Sequence, residues 1–343
     1  GQVMGCAPKA EHCISFFCPK RAHVLLPAIQ HIGQLHIASI GISDDALDRL
    51  KPEETIIHNA PEHWQSRLHH PQFDHHKYTR GHVFVHGGTA HPAAAHFAAK
   101  AALRAGAGYV SLSYEQSNKG YYFNQLDSIV LVHCLDRQNF IDLVEKSNAL
   151  VIGPGSGINY AIRDRIIAAM QVQIPMVIDA DGLSVFEGNW QLLAEHATPN
   201  AILTPHHGEF MRIFASLMAE HGDPACKVTR ALLAAKHTNA TIIYKGFDTV
   251  IALPDGHAVV NTNGSPYLAT AGSGDVLCGI IAAFLAQKIS PFTAACAACW
   301  VHGALPHHEP QTSWIAEDLI ANIPKTVAPL LGPVPRHIIE QIV

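Results

Sequence analysis

The residues best equipped to do chemistry lie in the run Ala269-Thr270-Ala271-Gly272-Ser273-Gly274-Asp275, a small-residue turn that leads straight into a long apolar segment. Glycines let a backbone come close to a phosphate, and the free N–H groups of a helix's first turn meet it with the positive end of the helix dipole. Asp275 falls in that first turn, where a carboxylate can take the proton from a hydroxyl attacking a phosphoryl group. Taken alone, the run also reads as an ordinary Gly/Ser turn with Asp275 as a helix-end charge. The other motifs weigh against that reading.

Lys245-Gly246-Phe247-Asp248-Thr249 follows a β-branched run and suits the edge of a nucleotide, contacting ribose or phosphate, although a plain hairpin turn has the same composition. Leu203-Thr204-Pro205-His206-His207-Gly208-Glu209-Phe210-Met211 sets Pro and Gly between a strand and a helix, so its polar groups lie at a strand's C-terminal end, where open α/β sheets bind ligands. There His206 and Glu209 are candidates for contacts to substrate or to metal-bound water, with loop and cap roles as the alternative. A second glycine loop follows a strand at Gly153-Pro154-Gly155-Ser156-Gly157. A third strand ends in Asp179 and Asp181, which read as contacts to metal-bound water or a ribose hydroxyl, or as helix caps. Gly87-Gly88 and Gly106-Ala107-Gly108 are read as further strand ends meeting at the same cleft. Neither G-x-G-x-x-G after a first strand nor GxxxxGK[ST] occurs, so a Rossmann dinucleotide site and a P-loop are both disfavoured.

These motifs need a scaffold that brings several strand ends together. From Tyr78 onward, β-branched or apolar runs at 82–86, 108–114, 128–132, 149–152, 176–178, 201–203, 241–244 and 249–253 alternate with helix-length segments at 93–104, 160–170, 209–219 and 229–237. Alternation of this kind predicts an α/β fold with parallel pairing, because a parallel neighbour needs a crossover and a helix supplies it. Residues 275–331 are helical in pattern. Residues 1–50 hold two short strand-like runs, 13–18 and 34–40, too little for a core of their own. Residues 51–77 are polar and carry Pro52, Pro61 and Pro71; they read as a linker or an arm packed on a neighbouring surface.

Composition narrows the function classes. The 343 residues are 48% hydrophobic and 15% charged, with a net charge of −5, which suits a buried core and gives no general attraction to nucleic acid or anionic membrane. No apolar run approaches the roughly 20 residues of a membrane span, and no signal peptide is evident. The eight cysteines sit mostly in apolar runs, Cys296 and Cys299 among them, and read as reduced thiols of a cytoplasmic protein. The 25 histidines form neither HExxH nor a Cys/His cluster, so no protein-held metal site is expected. The chain starts with Gly rather than Met, which suggests a missing upstream segment.

In order, GHVFVHGG, RAGAGYV, ALVIGPGSG, VIDADGL, LTPHHGEF, KGFDTVI and ATAGSGDVLCGIIAAFLA resemble the ADP- or ATP-dependent NAD(P)H-hydrate dehydratase family, a branch of the ribokinase-like fold. The resemblance covers residues 78–331 and implies a mostly parallel central sheet flanked by helices on both faces. It implies repair of hydrated NADH or NADPH (the S epimer) by phosphorylation of the added hydroxyl with ADP or ATP, followed by elimination of phosphate, with Mg²⁺ bridging phosphates. On that resemblance Asp275 is the base and Gly272, Ser273 and Gly274 the anion hole. Lys245, Gly246, Phe247, Asp248 and Thr249 line the nucleotide, together with Ser265, Pro266, Tyr267, Leu268, Ala269, Thr270, Ala271 and Gly272 to Gly274. Gly106, Gly155, His206, His207, Gly208, Glu209, Phe210 and Met211 contact the hydrated dinucleotide alongside Asp275. A homo-oligomer is expected, with no nucleic-acid or membrane partner.

Residues 1–50 look like the tail of an NAD(P)H-hydrate epimerase domain, giving an expected division into 1–50, a linker 51–77 and a dehydratase domain 78–343, with no epimerase activity. Two stretches depart from the family pattern: 91–97 is poorer in glycine, and Asn263-Gly264-Ser265-Pro266 follows the usual turn only loosely. Two alternatives stand beside the dehydratase: a ribokinase-like kinase of a small alcohol or vitamin precursor, and a non-catalytic nucleotide-binding protein, against which the intact Asp275 argues.

Overall fold

Short apolar runs become strands whose side chains alternate between two cores. The computed structural model describes residues 1–52, 55–124, 128–308 and 312–332. Near the start, β1 (His12–Phe16) and β2 (Gln34–Ala38) pair in parallel as a separate two-stranded sheet. The stretch 55–77 is not a free connection. Its strand β3 (Ile57–His58) pairs with the edge of the main sheet, and Trp64 and Leu68 are buried in the main core.

The main domain then runs β4 (His82–Val85), α1 (Pro92–Arg104), β5 (Tyr109–Tyr114), α2 (Lys119–Phe123), β6 (Val130–His133), α3 (Arg137–Glu145) and β7 (Ala149–Ile152). It continues through α4 (Tyr160–Val172), β8 (Met176–Ile178), α5 (Asp181–Ser184), α6 (Trp190–His196), β9 (Ala201–Leu203), α7 (His207–Glu220), α8 (Lys227–Thr238) and β10 (Thr241–Tyr244). Two short strands, β11 (Val250–Ala252) and β12 (Ala258–Val260), precede the closing helices α9 (Ser273–Ala286), α10 (Pro291–Ala304) and α11 (Ala316–Leu331). The strand order is β3-β12-β11-β10-β9-β8-β7-β4-β5-β6. Every pair from β6 across to β10 is parallel, and β10-β11-β12 is an antiparallel meander. A strand's period of two divides the core. Val83, Val85, Ala149, Val151, Val177, Ile202 and Ile243 face α1, α9, α10 and α11. Phe84, Leu150, Ile152, Met176, Ile178, Leu203 and Ile242 face the helices of the other layer. Helices thus cover both faces of a mostly parallel sheet, the architecture that the sequence resemblance implies.

Candidate active site

The same alternation places the polar residues that follow the strands. Val177 points toward α9 and Ile178 away from it, so Asp179, one residue past β8, turns back toward α9. Thr204 after β9 and Lys245 after β10 obey the same rule. These three strand ends therefore converge on α9. Lys245 Nζ donates to Asp179 Oδ1 at 2.6 Å, the Cys278 thiol donates to Asp179 Oδ2 at 3.3 Å, and Thr204 Oγ1 lies 4.0 Å from Cys278 Sγ. Asp179 is 2% exposed. Burial alone disfavours its charge, but Lys245 outweighs it and holds the carboxyl below its ordinary range. Lys245 answers in kind: burial opposes its charge, Asp179 favours it, and the net shift is upward. Between Asp179 and Asp181, Ala180 has φ +50°, a costly conformation for a residue with a Cβ and one that marks a constrained site.

The glycine turn sits above this pair. Gly272 has φ +84°, and a Cβ there would stand 2.8 Å from Ala316 Cβ and 2.9 Å from Phe97 Cδ2. Only glycine meets both demands without strain. It is the N-cap of α9; the Ser273 N–H turns back to the Thr270 carbonyl at 3.3 Å, which leaves the Gly274 and Asp275 N–H groups as the donors of the first turn. Asp275, in the first turn, is pushed up to about 7 by burial and by the charge of Asp179, against the pull of Lys245. His302 of α10 has Nε2 2.9 Å from the Ser273 carbonyl oxygen and 3.0 Å from its Oγ. Burial, reinforced by Lys245, lowers its ring to about 4, so it is neutral at pH 7 and fixes the turn as a hydrogen-bond partner.

At the mouth of α7, His206 and Glu209 form a capping box: His206 Nδ1 accepts from the Gly208 and Glu209 N–H groups, and Glu209 Oε2 accepts from the His206 N–H at 2.8 Å. Both line a cavity of about 630 Å³, with Asp179, Lys245, Gly246, Phe247 and Thr249. Ser265, Pro266, Leu268, Ala269, Thr270, Gly272, Ser273, Gly274 and Asp275 complete the expected part of the wall. The arm before β4 reaches this wall too. Trp64 Nε1 donates to Asn59 Oδ1, Asn59 Nδ2 to Asn261 Oδ1 and Asn261 Nδ2 to Asn263 Oδ1.

Several expected contacts are not at the cavity. Gly106 closes α1 ahead of β5, at the N-terminal edge of the parallel strands, where its carbonyl accepts from Arg80 at 3.0 Å. It was read as a strand end, but it is a helix-to-strand turn on the opposite edge. Asp248 is turned inward, binding Lys227 Nζ at 2.6 Å and the Leu26 N–H at 2.9 Å, so it holds the N-terminal segment. Phe210 is buried against Phe214 and Tyr244 on the far face of α7, and Met211 packs in that same core. His207 Nδ1 is 2.6 Å from the Tyr244 hydroxyl. Gly208, Tyr267 and Ala271 lie outside the cavity lining. Gly155 is on the correct edge but serves packing: its carbonyl accepts from the Ala90 and His91 N–H groups, and a Cβ would collide with the His91 carbonyl. Asp181 ties down the same loop, accepting from the Gly157 N–H at 2.8 Å.

The sequence reading missed His302, Thr204, Asn261 and Cys278. Thr204 was legible from strand alternation, and His302 as a histidine near the end of the apolar run that forms α10; Asn261 and Cys278 carried no local signal. Among the described residues no three His, Cys, Asp or Glu side chains gather as a metal site. Asp275 and Glu209 offer oxygen to the cavity but no cage, which fits a Mg²⁺ carried by phosphates and water and not one held by the protein.

Residues 83–327 match the family model described as NAD(P)H-hydrate dehydratase. The chain is 31% identical over 341 residues to the bifunctional NAD(P)H-hydrate repair enzyme of Moorella thermoacetica, covering 94% of this chain and 63% of that protein. It is 34% identical over 253 residues to the ADP-dependent (S)-NAD(P)H-hydrate dehydratase of Neisseria meningitidis, covering 72% and 83%. It thus spans less than two thirds of the bifunctional relative's length. The ADP/ATP-dependent NAD(P)H-hydrate dehydratase of Bacillus subtilis, co-crystallized with ATP and Mg²⁺, has the same fold, with TM-score 0.65 at 24% identity over 80% of this chain and 99% of that one.

Proposed function

The chain belongs to the NAD(P)H-hydrate dehydratase family, and from that premise we propose that it restores the S epimer of hydrated NADH or NADPH with ADP or ATP as phosphoryl donor. The observation that carries the reading is Asp275. It is a carboxyl in the first turn of α9, facing the cavity and titrating at about 7, close to the ideal for a general base at neutral pH. The nucleotide lies along Phe247, Thr249, Pro266 and Leu268, with its phosphates at the Gly272-Ser273-Gly274 turn, where the Gly274 N–H has no backbone acceptor among the described residues. Asp275 accepts the proton of the added hydroxyl as its oxygen takes the terminal phosphoryl group, leaving AMP from ADP or ADP from ATP. The ring nitrogen's lone pair then expels phosphate, a proton leaves the neighbouring ring carbon, and the dihydronicotinamide is regained. Mg²⁺ supplies charge neutralisation on the phosphates when bound. His206 and Glu209 orient the dinucleotide at the other wall.

The eight cysteines are all free, which supports a reducing compartment, the cytoplasm. The assay mixes the protein with hydrated NADH, Mg²⁺ and either ADP or ATP and follows the NADH absorbance band. Recovery of NADH with one phosphate released per turnover is expected. A stable phosphorylated alcohol with no NADH would replace the reading with that of a small-molecule kinase, which the family match does not favour.

A further inference from the structure

Three asparagines run from the arm ahead of β4 to the nucleotide wall of the cavity. Asn59 and Trp64 belong to the arm, Asn261 follows β12, and Asn263 leads into Ser265, Pro266 and Leu268 of that wall. Trp64, Asn59 and Asn261 are buried and Asn263 is half-buried. Trp64 Nε1 lies 2.9 Å from Asn59 Oδ1, Asn59 Nδ2 2.8 Å from Asn261 Oδ1, and Asn261 Nδ2 2.7 Å from Asn263 Oδ1. Each amide nitrogen also meets a carbonyl of α10: Asn59 that of Cys296 at 2.8 Å, Asn261 that of Cys299 at 3.4 Å, and Asn263 that of Trp300 at 2.8 Å. We propose that Asn59, held by Trp64, is a positioning residue for the nucleotide: it sets Asn261 and Asn263, and through them residues 263–268, which makes the arm part of the nucleotide site. The inference rests on the reading of that cavity wall as a nucleotide site.

The physical case is the direction of the chain of bonds. An indole N–H can only donate and a backbone carbonyl can only accept, so the ends allow one orientation for every amide between them. Turning Asn59 over would set its oxygen against the Asn261 oxygen and the Cys296 carbonyl, in a buried place where an unpaired polar group is costly. The near end is fixed independently. There β3 pairs with β12, the Asn59 N–H donates to the Val260 carbonyl at 2.9 Å, and Gln65 Nε2 donates to the Leu330 carbonyl at 3.0 Å. At the far end Asn263 is pressed on α10 where only glycine leaves room, since a Cβ at Gly303 would collide with its Oδ1. Asn261 lines the cavity itself, and its backbone N–H donates to the Thr249 carbonyl at 2.8 Å. One residue thus ties together two parts of the nucleotide wall. His206 and Glu209, on the other wall, are held by their own capping box.

The test reads nucleotide binding apart from turnover, by isothermal titration of the full chain with ADP and Mg²⁺, alongside kcat and the KM values for ADP and hydrated NADH. Asn59→Leu has a similar branched shape and removes both ends of the amide. It should weaken ADP binding and raise KM for ADP by about tenfold, the scale of a buried polar group left unpaired. KM for hydrated NADH, and kcat at saturating ADP, should stay within about twofold of wild type. Trp64→Phe keeps a ring in the core and removes the donor; it should move the same two quantities by about threefold, and it carries the test if Asn59→Leu does not fold. Leu68→Ala loosens the same arm by taking a buried side chain from the core but leaves the amides intact, so it should lower Tm and bind ADP as wild type does. Equal ADP affinity in wild type, Asn59→Leu and Trp64→Phe overturns the proposal. So does a loss in Leu68→Ala that matches the loss in Asn59→Leu below both melting transitions, which loosening alone would give, or a KM for hydrated NADH that rises in step with that for ADP. A wild-type chain that binds no ADP overturns the functional reading and this one together. Wild-type binding of ADP without NADH recovery removes the dehydratase reading and leaves the titrations to decide the role of Asn59.

Discussion

The two edges of the parallel sheet carry similar materials and do different things with them. Each has glycine turns and basic side chains, and each opens a cavity of several hundred Å³: about 630 Å³ at the C-terminal edge and about 560 Å³ at the other. The second is lined by Arg80, Arg104, Gly106, His69, His70 and His75 among others, with no carboxylate among the described residues of its wall. At the C-terminal edge, Asp179, Thr204 and Lys245 all turn onto one helix that begins at a glycine turn. Parallel strands aim every post-strand residue of the same register at the same face, and the helix start adds free N–H groups and dipole. The N-terminal edge receives helix C-termini, where a carbonyl engages a basic side chain: Gly106, closing α1, accepts from Arg80. Cavity size and glycine content do not separate the two edges. Strand direction does.

Substitutions at both edges sharpen the contrast. Asp275→Asn should give the largest change, a loss of about a thousandfold in kcat, within the usual range for a general base. It should also stabilise the free protein at alkaline pH. The folded carboxyl titrates at about 7, above its ordinary 3.8, so the contribution of its protonated form is full below pH 4 and is lost as pH rises through 7. The asparagine variant should therefore have a higher Tm than wild type at pH 8 and nearly the same Tm at pH 4. Gly272→Ala comes next: a positive φ and a Cβ pressed on Phe97 and Ala316 should cost about 2–4 kcal/mol in denaturant melts, with activity falling through the displaced turn. His206→Ala should raise KM for the hydrated dinucleotide by about tenfold and leave kcat within a few-fold, since it removes one polar contact. The smallest effect on catalysis belongs to Gly106→Ala, whose φ of +108° predicts about 1–3 kcal/mol of lost stability and unchanged kcat/KM. A fall in kcat/KM there without unfolding would erase the distinction between the edges.

Much of the scaffold was legible in the sequence because the buried strands are unbroken apolar runs. The runs 149–152, 176–178, 201–203 and 241–244 coincide with strands residue for residue. The residues of β3 and β12 escaped notice because edge strands of two or three residues carry little periodicity, and the arm 55–77 looked polar because Trp64 and Leu68 are its only buried hydrophobic residues. At the site, Asp275, His206, Glu209 and Lys245 were identified from residue type at strand ends and helix starts. The errors share one cause. Within a loop or a helix's first turn, residue type does not say which side chain points into the cavity, so Asp248, Phe210 and Met211 were grouped with neighbours that face the other way. Gly106 failed for another reason: a glycine turn before a strand and one after it look alike in sequence but lie on opposite edges of the sheet.

The most direct test of the account is the pH dependence of kcat/KM for NADH recovery, measured on wild type and Asp275→Asn. A rising limb with its midpoint near pH 7 in wild type, matching the buried carboxyl, and a flat residual rate about a thousandfold lower in the variant are the expected results. A variant that keeps wild-type activity, or one that keeps the rising limb, would contradict Asp275 as the base.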